Sequence, residues 1–259
     1  MSVELGKRMK EYEAVSKDYL MRRQPVIIRI DGRSFHTFTK GLVRPFDDIL
    51  MEAMWETTKE LCKEISGCKI GYTQSDEISL FLVDYEKIDT CAWFDNNVQK
   101  IVSNSASIAT LAFNVAFNNI YQRYLKEGKI SEDMQKVYES KLFKARFDSR
   151  AFNLPKEEVA NYFIWRQQDA TKNSIQMLGR ANFSHRELQN KNGNDIQELL
   201  FSEKGINFND IPTAQKRGVC ITKVKYTLDN EEQTVRSRWD VDREIPIFTK
   251  DRDYIEKFV

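Results

Sequence analysis

The stretch from Tyr72 to Phe81, YTQSDEISLF, places the tightest constraint on what this chain can fold into. Strand-like residues lie on both sides of it, and the acidic pair Asp76 and Glu77 stands where such a run must reverse direction. Two explanations fit these ten residues. The pair is either an ordinary polar turn or the tip of a hairpin that presents a carboxylate to a metal ion.

Periodicity predicts the elements around this hairpin. Short apolar runs are typical of buried strands, and apolar residues spaced three and four apart are typical of amphipathic helices. Apolar residues at helical spacing from Leu5 to Tyr19 predict an amphipathic N-terminal helix that Pro25 stops. A helix at 92–124 is predicted to have Phe94 and Val98 on its apolar face, and its small residues at 103–112 would allow close packing against a sheet. From residue 26 onward the predicted elements are a strand at 26–31, a helix at 46–65, hairpin strands at 69–75 and 77–83, the helix at 92–124 and a strand within 141–152. This β-α-β-β-α-β order indicates an α+β fold of the ferredoxin-like, or split βαβ, type.

That topology gives the acids a shared position. The strand VIIRID ends in Asp31, and in a split βαβ sheet this strand lies beside the hairpin that carries Asp76. Alone, Asp31 before Gly32 is best explained as a turn residue. Together, two carboxylates from adjacent strands suit a pair of magnesium ions whose other ligands are substrate phosphates.

The loop after this strand suggests a phosphate site. Successive backbone amides from Gly32 to His36 can form an anion-binding nest suited to a triphosphate. Arg33, Arg44 and Lys100 could neutralise phosphate charge, although a single basic residue is more often a solvated surface group. The sequence contains neither a Walker motif nor GxGxxG, so this prediction depends on its context.

Composition narrows the class of protein. Forty basic and thirty-nine acidic residues give a net charge of +1, so a nucleic-acid partner would have to meet a local basic patch. Four cysteines without a CxxC pair and two histidines argue against a disulfide framework and a structural zinc site. The charged N-terminal segment is unlike a signal peptide and no apolar stretch approaches membrane-span length. We therefore expect a soluble, cytoplasmic protein with no membrane partner.

Five segments, RIDGRSFHTF, YTQSDEISLF, FDSRAF, WRQQDATKNSIQ and KRGVCI, together resemble the tRNA-His guanylyltransferase family. They are most similar to its guanylyltransferase-like branch in bacteria and archaea, and the resemblance runs from about residue 3 almost to the C-terminus. It implies a polymerase-palm core that adds nucleotides to the 5′ end of tRNA in the 3′–5′ direction. In the family, ATP or GTP activates a 5′-monophosphate, and the 3′-hydroxyl of the incoming nucleotide then attacks the activated phosphate.

The resemblance also implies roles for individual residues. Asp31 and Asp76, with the backbone carbonyl of Gly32, would bind two magnesium ions, and Glu77 matches a functionally important acid. The expected nucleotide-binding residues are Gly32, Arg33, Ser34, Phe35, His36, Arg44, Asp47, Ser75 and Lys100. Among them, Asp47 matches a position near the base, and Ser75 and Lys100 match contacts to the second, activating triphosphate. The family is tetrameric, which implies a homotetramer.

One segment departs from the eukaryotic branch. Residues 171–177 read TKNSIQM where that branch has HINNLYN, so Thr171 stands in place of the histidine. Ile196 stands where those enzymes use a lysine. Both differences favour templated repair of 5′-truncated tRNA, in which base pairing selects the nucleotide, over untemplated guanosine addition to tRNA-His. Guanosine addition opposite a templating cytidine is compatible with this expectation.

The C-terminal third is expected to contact RNA and to build the oligomer. Pro155 begins a helix, Ser184 with Glu187 forms a capping-box pattern, and 218–242 is predicted to be a hairpin turning at Asp229 and Asn230. We predict a palm-like catalytic core with its N-terminal helix at 1–154, and at 155–259 a helical and β-hairpin extension that is not an independent domain. The candidate tRNA contacts are Arg150, Arg166, Lys172, Asn173, Arg217, Arg236 and Arg238.

Two alternatives share the predicted topology. The first is a non-catalytic RNA-binding module of the RNA-recognition type, whose central strands carry stacking aromatic residues. Its signature is missing from this sequence, and the hairpin offers acids instead. The second is a nucleotidyl cyclase on a palm fold, which needs no tRNA. The segment WRQQDATKNS argues against it.

Overall fold

A computed structural model of the chain describes residues 3–227 and 234–259. Its strands are β1 (Val26–Gly32), β2 (Cys68–Gln74), β3 (Glu77–Leu82), β4 (Phe147–Asn153), β5 (Val219–Thr227) and β6 (Val235–Asp242). Its helices are α1 (Val3–Ala14), α2 (Phe35–Phe38), α3 (Asp48–Glu64), α4 (Val98–Lys126), α5 (Glu132–Glu139), α6 (Lys156–Asn182), α7 (His185–Leu188), α8 (Gly193–Lys204), α9 (Thr213–Arg217) and α10 (Asp253–Glu256).

The strands form one sheet in the order β4-β1-β3-β2-β5-β6, with every neighbouring pair antiparallel. The first four strands have the order of a split βαβ fold, which confirms the predicted ferredoxin-like core. β1 is central, and its Asp31 lies opposite Glu77 of β3 on one side and Asp148 of β4 on the other. The hairpin β5–β6 joins the edge strand β2, so the C-terminal strands continue the same sheet.

Helices cover both faces of this sheet. Val26, Ile28 and Ile30 of β1 pack against α3 and α4, whereas Ile27 belongs to the cluster formed with α6 and the C-terminal segment. Because side chains alternate along a strand, Asp31 lies on the face of Ile27. The predicted catalytic acids therefore belong to the side of the sheet that α6 covers.

Helix α1 differs from the prediction. It ends at Ala14, well before Pro25, and its apolar residues Met9 and Tyr12 are 45% and 69% exposed. Apolar periodicity is correctly read as helix here. The pattern does not show, however, how far that face is covered, and Tyr12 is largely exposed.

Helix α4 begins six residues later than predicted. The Asn97 side chain accepts a hydrogen bond from the Lys100 amide and caps the helix, and a short 3₁₀ turn occupies Trp93–Asn96. The predicted apolar face is also wrong in part, because Phe94 is 39% exposed. The small residues do allow close packing on the sheet, since Ser105 Oγ lies 2.7 Å from Ser149 Oγ of β4.

The C-terminal third follows the predicted order. Helix α6 begins directly after Pro155, and Ser184 and Glu187 form the reciprocal capping box at α7. The predicted turn at Asp229 and Asn230 lies outside the described residues. No helix in the described part of the chain is long and apolar enough to span a membrane.

Candidate active site

Asp31 and Asp76 meet at one end of the sheet. The backbone amide of Gly32, which follows Asp31, donates a 3.0 Å hydrogen bond to the carbonyl of Asp76. The two-residue turn between β2 and β3 places Ser75 at a positive φ of 50°, and Ser75 Oγ donates to Asp76 Oδ1 over 3.0 Å. Strand order and turn geometry thus bring the two predicted acids together.

The acid pair has the electrostatics of a cation site. Burial raises the pKa of Asp76, and the nearby charge of Asp31 raises it further, against the lowering effect of hydrogen bonds from Ser75 and its own amide. Asp31 Oδ2 is buried and makes no hydrogen bond within the described chain, although Arg150 Nη2 lies 2.9 Å away. A cation between the two carboxylates would relieve both effects.

These residues fit magnesium bound together with a substrate. The described chain has no group of three or more His, Cys, Asp or Glu side chains that could hold a metal by itself. Asp31, Asp76 and the carbonyl of Gly32 offer only oxygen donors. Magnesium commonly uses one or two carboxylates and completes its octahedron with phosphate oxygens and water.

Glu77, at the start of β3, links the hairpin turn of the site to α6. Arg166 of α6 forms a bidentate pair with its carboxylate, in which Nε lies 2.6 Å from Oε1 and Nη2 lies 2.7 Å from Oε2. Arg29 adds a contact of 3.0 Å to Oε2, and Asp169 binds Arg166 Nη2 over 2.9 Å. Burial raises the pKa of Glu77, while Arg166 and Arg29 oppose that shift. The bidentate pair fixes the start of β3 to α6.

Arg166 is therefore a correction to the predicted tRNA contacts. Its side chain is only 4% exposed, and Glu77 and Asp169 occupy its guanidinium. Nε and Nη2 of this buried guanidinium bond carboxylates inside the fold, so Arg166 does not form part of an exposed surface for a phosphate backbone. Its position indicates that it orients Glu77.

The loop 32–36 forms only part of the predicted phosphate nest. The amide of Gly32 bonds to Asp76, and the amide of Arg33 donates to the carbonyl of Arg146 over 2.8 Å, so these two are occupied. The later amides open the one-turn helix α2 and have no partner within it. Gly32 is required because a Cβ there would meet the Phe35 ring at 2.3 Å. Arg33 and Ser34 are exposed.

A cavity of about 630 Å³ opens beside Asp76. One wall is the segment after β1, which contributes four predicted nucleotide-binding residues, Phe35, His36, Arg44 and Asp47. The facing wall is α6, with Asn173, and the hairpin turn with Ser75 and Asp76 lies at the edge. This volume is in the range of natural ligand pockets, about 300–1,000 Å³.

Asp47 shapes this cavity through its hydrogen bonds. It is 3% exposed, and its carboxylate accepts from the amides of Leu50 and Val43 and from the Tyr138 hydroxyl, at 2.9, 3.0 and 2.7 Å. It therefore caps α3 and fixes the preceding loop, which forms the wall near which the base is expected.

Replacing Tyr138 with phenylalanine tests this arrangement. We expect a loss of about 1–3 kcal/mol in the free energy of unfolding, because a hydrogen bond to a buried carboxylate disappears. The KM for GTP should also rise, since the loop loses an anchor. Tyr121→Phe is the matched control, because its hydroxyl donates to Glu139 away from the cavity. A rise in KM of equal size in both variants would contradict the assignment.

Other predicted residues are not brought to the cavity. Lys100 is exposed on α4, across the sheet from the acids, with its ammonium group 6.0 Å from the Phe94 ring. Lys172 is exposed on α6, and Arg217 ends α9 near the hairpin turn. Arg150 lies at the site itself, in its contact with Asp31.

The two predicted arginines of the C-terminal hairpin lie further away. Arg236 and Arg238 are exposed opposite Tyr226 and Val224, on the sheet face of Tyr72 and the acids. Lys223 and Lys225 face the other side. Since β5 runs antiparallel to β2, this hairpin extends away from the acids, by about 20 Å at 3.3 Å per residue.

Sequence reasoning missed several residues of the cavity. Lys40, Gln74, Ser174, Met177 and Lys216 all line it. Ser174 and Met177 lie one and two turns after Ala170 on one face of α6, which is a signal that helical spacing does contain. Lys216 and Lys40 carry no signal beyond their charge.

Comparisons with known proteins identify the family of the chain. The family model for tRNAHis guanylyltransferase matches residues 6–155. A probable tRNA(His) guanylyltransferase of Dictyostelium discoideum is 28% identical over 83% of this chain and 81% of its own length. The tRNA(His) guanylyltransferase of Debaryomyces hansenii is 25% identical over 91% of this chain and 87% of its own.

Solved structures extend the likeness to the whole chain. A bacterial tRNA(His) guanylyltransferase-like protein in complex with ATP is 50% identical, with a TM-score of 0.84 and 98% of both chains covered. One in complex with GTP is 47% identical, with a TM-score of 0.79 and the same coverage. The family model covers more than half of the sequence, and the fold agrees with it. This chain therefore belongs to the tRNA(His) guanylyltransferase family and is a nucleotidyltransferase.

Proposed function

We propose that this protein adds nucleotides in the 3′–5′ direction to the 5′ end of tRNA, with base pairing as the selector. Its main role would be the repair of 5′-truncated tRNA, and guanosine addition to tRNA-His opposite cytidine would be one case. The observation that carries the proposal is the cavity that opens beside Asp76, where Asp31 converges from the central strand.

The residues of this cavity have separable roles in the proposed reaction. Asp31, Asp76 and the Gly32 carbonyl would hold two magnesium ions, which supply Lewis-acid charge at the transferring phosphate and at the attacking hydroxyl. His36 and Arg44 lie where they can bind the triphosphate of the incoming nucleotide, with Ser75 beside the acids. Glu77 keeps the turn in place through Arg166, so that the geometry is set before the nucleotide arrives.

ATP or GTP would also activate a 5′-monophosphorylated tRNA. Support comes from the bacterial guanylyltransferase-like structures with ATP and with GTP, which are about half identical to this chain. Lys100 remains a candidate contact for that second triphosphate, although α4 holds it across the sheet from the cavity.

The tRNA would bind on the side of the sheet that carries the acids. Arg236 and Arg238 share that face and would track the RNA backbone away from its 5′ end, while Asn173 and Arg217 lie closer to the acids. We further propose residues 1–154 as the palm-like core and 155–259 as its extension for RNA contacts and assembly. A homotetramer in the cytoplasm, where tRNA and nucleotides are available, completes the proposal.

The alternatives account for less of the structure. An RNA-recognition module needs an open sheet face with aromatic residues on its central strands. Here α6 covers that face, and the central strands carry the paired acids Asp31 and Glu77 at one end of the sheet. A cyclase on the same palm would leave the likeness to tRNA(His) guanylyltransferases along the whole chain unexplained.

Changing the template should change the nucleotide that is added. With a tRNA that lacks its first nucleotide, we expect guanosine opposite cytidine and uridine once that cytidine is replaced by adenosine. A matched base holds its 3′-hydroxyl in line with the activated phosphate, and a mismatch displaces it, which costs large factors in rate. The measurement is sequencing of the 5′ end after incubation with all four nucleotides.

Equal guanosine addition opposite both bases would contradict templating and leave an untemplated guanylyltransferase. No addition to either tRNA, by protein that binds GTP, would contradict the proposed function itself.

A further inference from the structure

Ser174 presents a buried hydroxyl that no part of the described chain satisfies. The residue is 4% exposed, lines the cavity beside Asp76, and its Oγ has no hydrogen-bond partner among the described residues. A serine inside a helix usually bonds back to the carbonyl four residues earlier. Thr171, three residues away on α6, does so, with its hydroxyl 3.0 Å from the Gln167 carbonyl. Buried polar atoms of native proteins are almost always paired, so this hydroxyl calls for an explanation.

The surroundings of Ser174 suit a flat, largely apolar group. Across the cavity lie Leu42, Phe46 and Leu50, and Met177 lies one turn further along α6. The acids Asp31 and Asp76 mark the end where the proposed function places the phosphates. A nucleotide whose triphosphate lies at that end would extend its base between the loop after β1 and α6. Nucleobases combine apolar faces with polar edges, which matches apolar walls carrying a few polar groups.

We propose that Ser174 binds the polar edge of the nucleobase of a bound nucleoside triphosphate, with Asn173 beside it on the same wall. This inference rests on the proposed function and names the base-binding wall of its site. A hydroxyl both donates and accepts, so Ser174 can pair with an amino group or a carbonyl. It therefore holds adenine and guanine without choosing between them, which leaves the choice to the template.

The same geometry changes which residues of the segment TKNSIQM are expected to influence nucleotide binding. The sequence difference at Thr171 predicts an effect on the mode of addition, but the Thr171 hydroxyl is occupied within its own helix. Asn173, Ser174 and Met177 are the members of the segment that line the cavity. We assign the influence of the segment on nucleotide binding to these three positions.

The test is calorimetric titration of the full-length protein with GTP and ATP in magnesium, without tRNA. Ser174→Ala should weaken the Kd for both nucleotides by about tenfold, the cost of losing one hydrogen bond to a buried group. Inorganic tripolyphosphate, which has no base, should bind both proteins equally. The melting temperature without nucleotide should stay the same or rise, because an unpaired buried hydroxyl is removed.

Thr171→Val is the matched control, since it removes a hydroxyl of the same helix that is already paired. Its Kd for both nucleotides should remain within about twofold of wild type, a change smaller than the loss of a hydrogen bond. If Ser174→Ala proves poorly folded, Ser174→Cys keeps the shape with a weak hydrogen-bonding group and should show the same loss.

Unchanged nucleotide affinity in the Ser174 variant would overturn the inference. So would an equal loss for tripolyphosphate, which would place Ser174 at the phosphates. Because these titrations contain no tRNA, their outcome is distinct from that of the proposed function. A protein that fails to extend tRNA could still lose GTP affinity through Ser174→Ala, and one that extends tRNA could show no such loss.

Discussion

Asp31→Asn and Asp76→Asn should each abolish nucleotide addition, with a loss of at least about a thousandfold, or roughly 4 kcal/mol in the barrier. Either change keeps the shape of the side chain but removes the charge that a divalent cation requires. The loss should persist at saturating magnesium and on tRNA that already carries a 5′-triphosphate. Rates are measured under single-turnover conditions. Asp95→Asn, which alters an exposed carboxylate, is the control and should leave the rate unchanged.

Asp76→Asn should abolish activity without lowering the stability of the fold. The pKa of Asp76 is raised in the folded protein, mainly by burial, so the folded state binds protons more tightly than the unfolded state does. Ionised Asp76 therefore destabilises the fold at pH 7, and Asp76→Asn should melt at the same or a higher temperature in EDTA. The gap should close as the pH falls through the folded pKa toward 3.8, the ordinary value. An inactive variant that has also lost its fold would not support a catalytic role, and near wild-type turnover would refute the metal assignment.

Arg166→Met should destabilise the protein strongly, by about 3–5 kcal/mol in the free energy of unfolding. Among the described residues, the change leaves the buried carboxylate of Glu77 with Arg29 as its remaining ion-pair partner. For a chain of this length the melting temperature should fall by about 10 °C. Nucleotide addition should fall as well, because the start of β3 carries the turn with Asp76. The measurement is urea unfolding together with the single-turnover rate.

Two further variants separate loss of the pair from loss of the arginine alone. The double variant Arg166→Met with Glu77→Met removes both charges and should recover much of the lost stability, since methionines can fill the buried space. Lys172→Met, on the exposed side of the same helix, should change the stability little. A double variant no more stable than the single one would show that the ion pair is not the cause.

Much of the core of this fold could be predicted because its signals are local. VIIRID and YTQSDEISLF each identify a strand or a hairpin within ten residues, and the order of elements then places Asp31 beside Asp76. Two further features are equally local. Ser75 has a positive φ in the hairpin turn, and the Phe35 ring lies where a Cβ at position 32 would be. Because such patterns depend on neighbouring residues, they predict the local structure without knowledge of distant contacts.

The rest depends on contacts between distant segments. Arg166 is 89 residues from Glu77 in sequence, so the sequence predicts a surface position for this arginine, whereas the structure buries it. The role of Asp47 depends on Tyr138, which is 91 residues away. Helix α1 shows the opposite case, since its apolar spacing predicts burial, whereas Met9 and Tyr12 are 45% and 69% exposed. Periodicity reports which faces are apolar, and only the assembled structure shows what covers them.

The direction of addition is the central claim, and 3′-deoxyguanosine triphosphate tests it most directly. The substrate is a 5′-triphosphorylated tRNA that lacks its first nucleotide opposite cytidine, so that no activation step is needed. In 3′–5′ addition the 3′-hydroxyl of the incoming nucleotide is the attacking group. GTP and 2′-deoxyguanosine triphosphate should therefore be added at the 5′ end, whereas the 3′-deoxy analogue should give no product. Single addition of the 3′-deoxy analogue to the 3′ end of the tRNA would show the conventional direction and contradict the account.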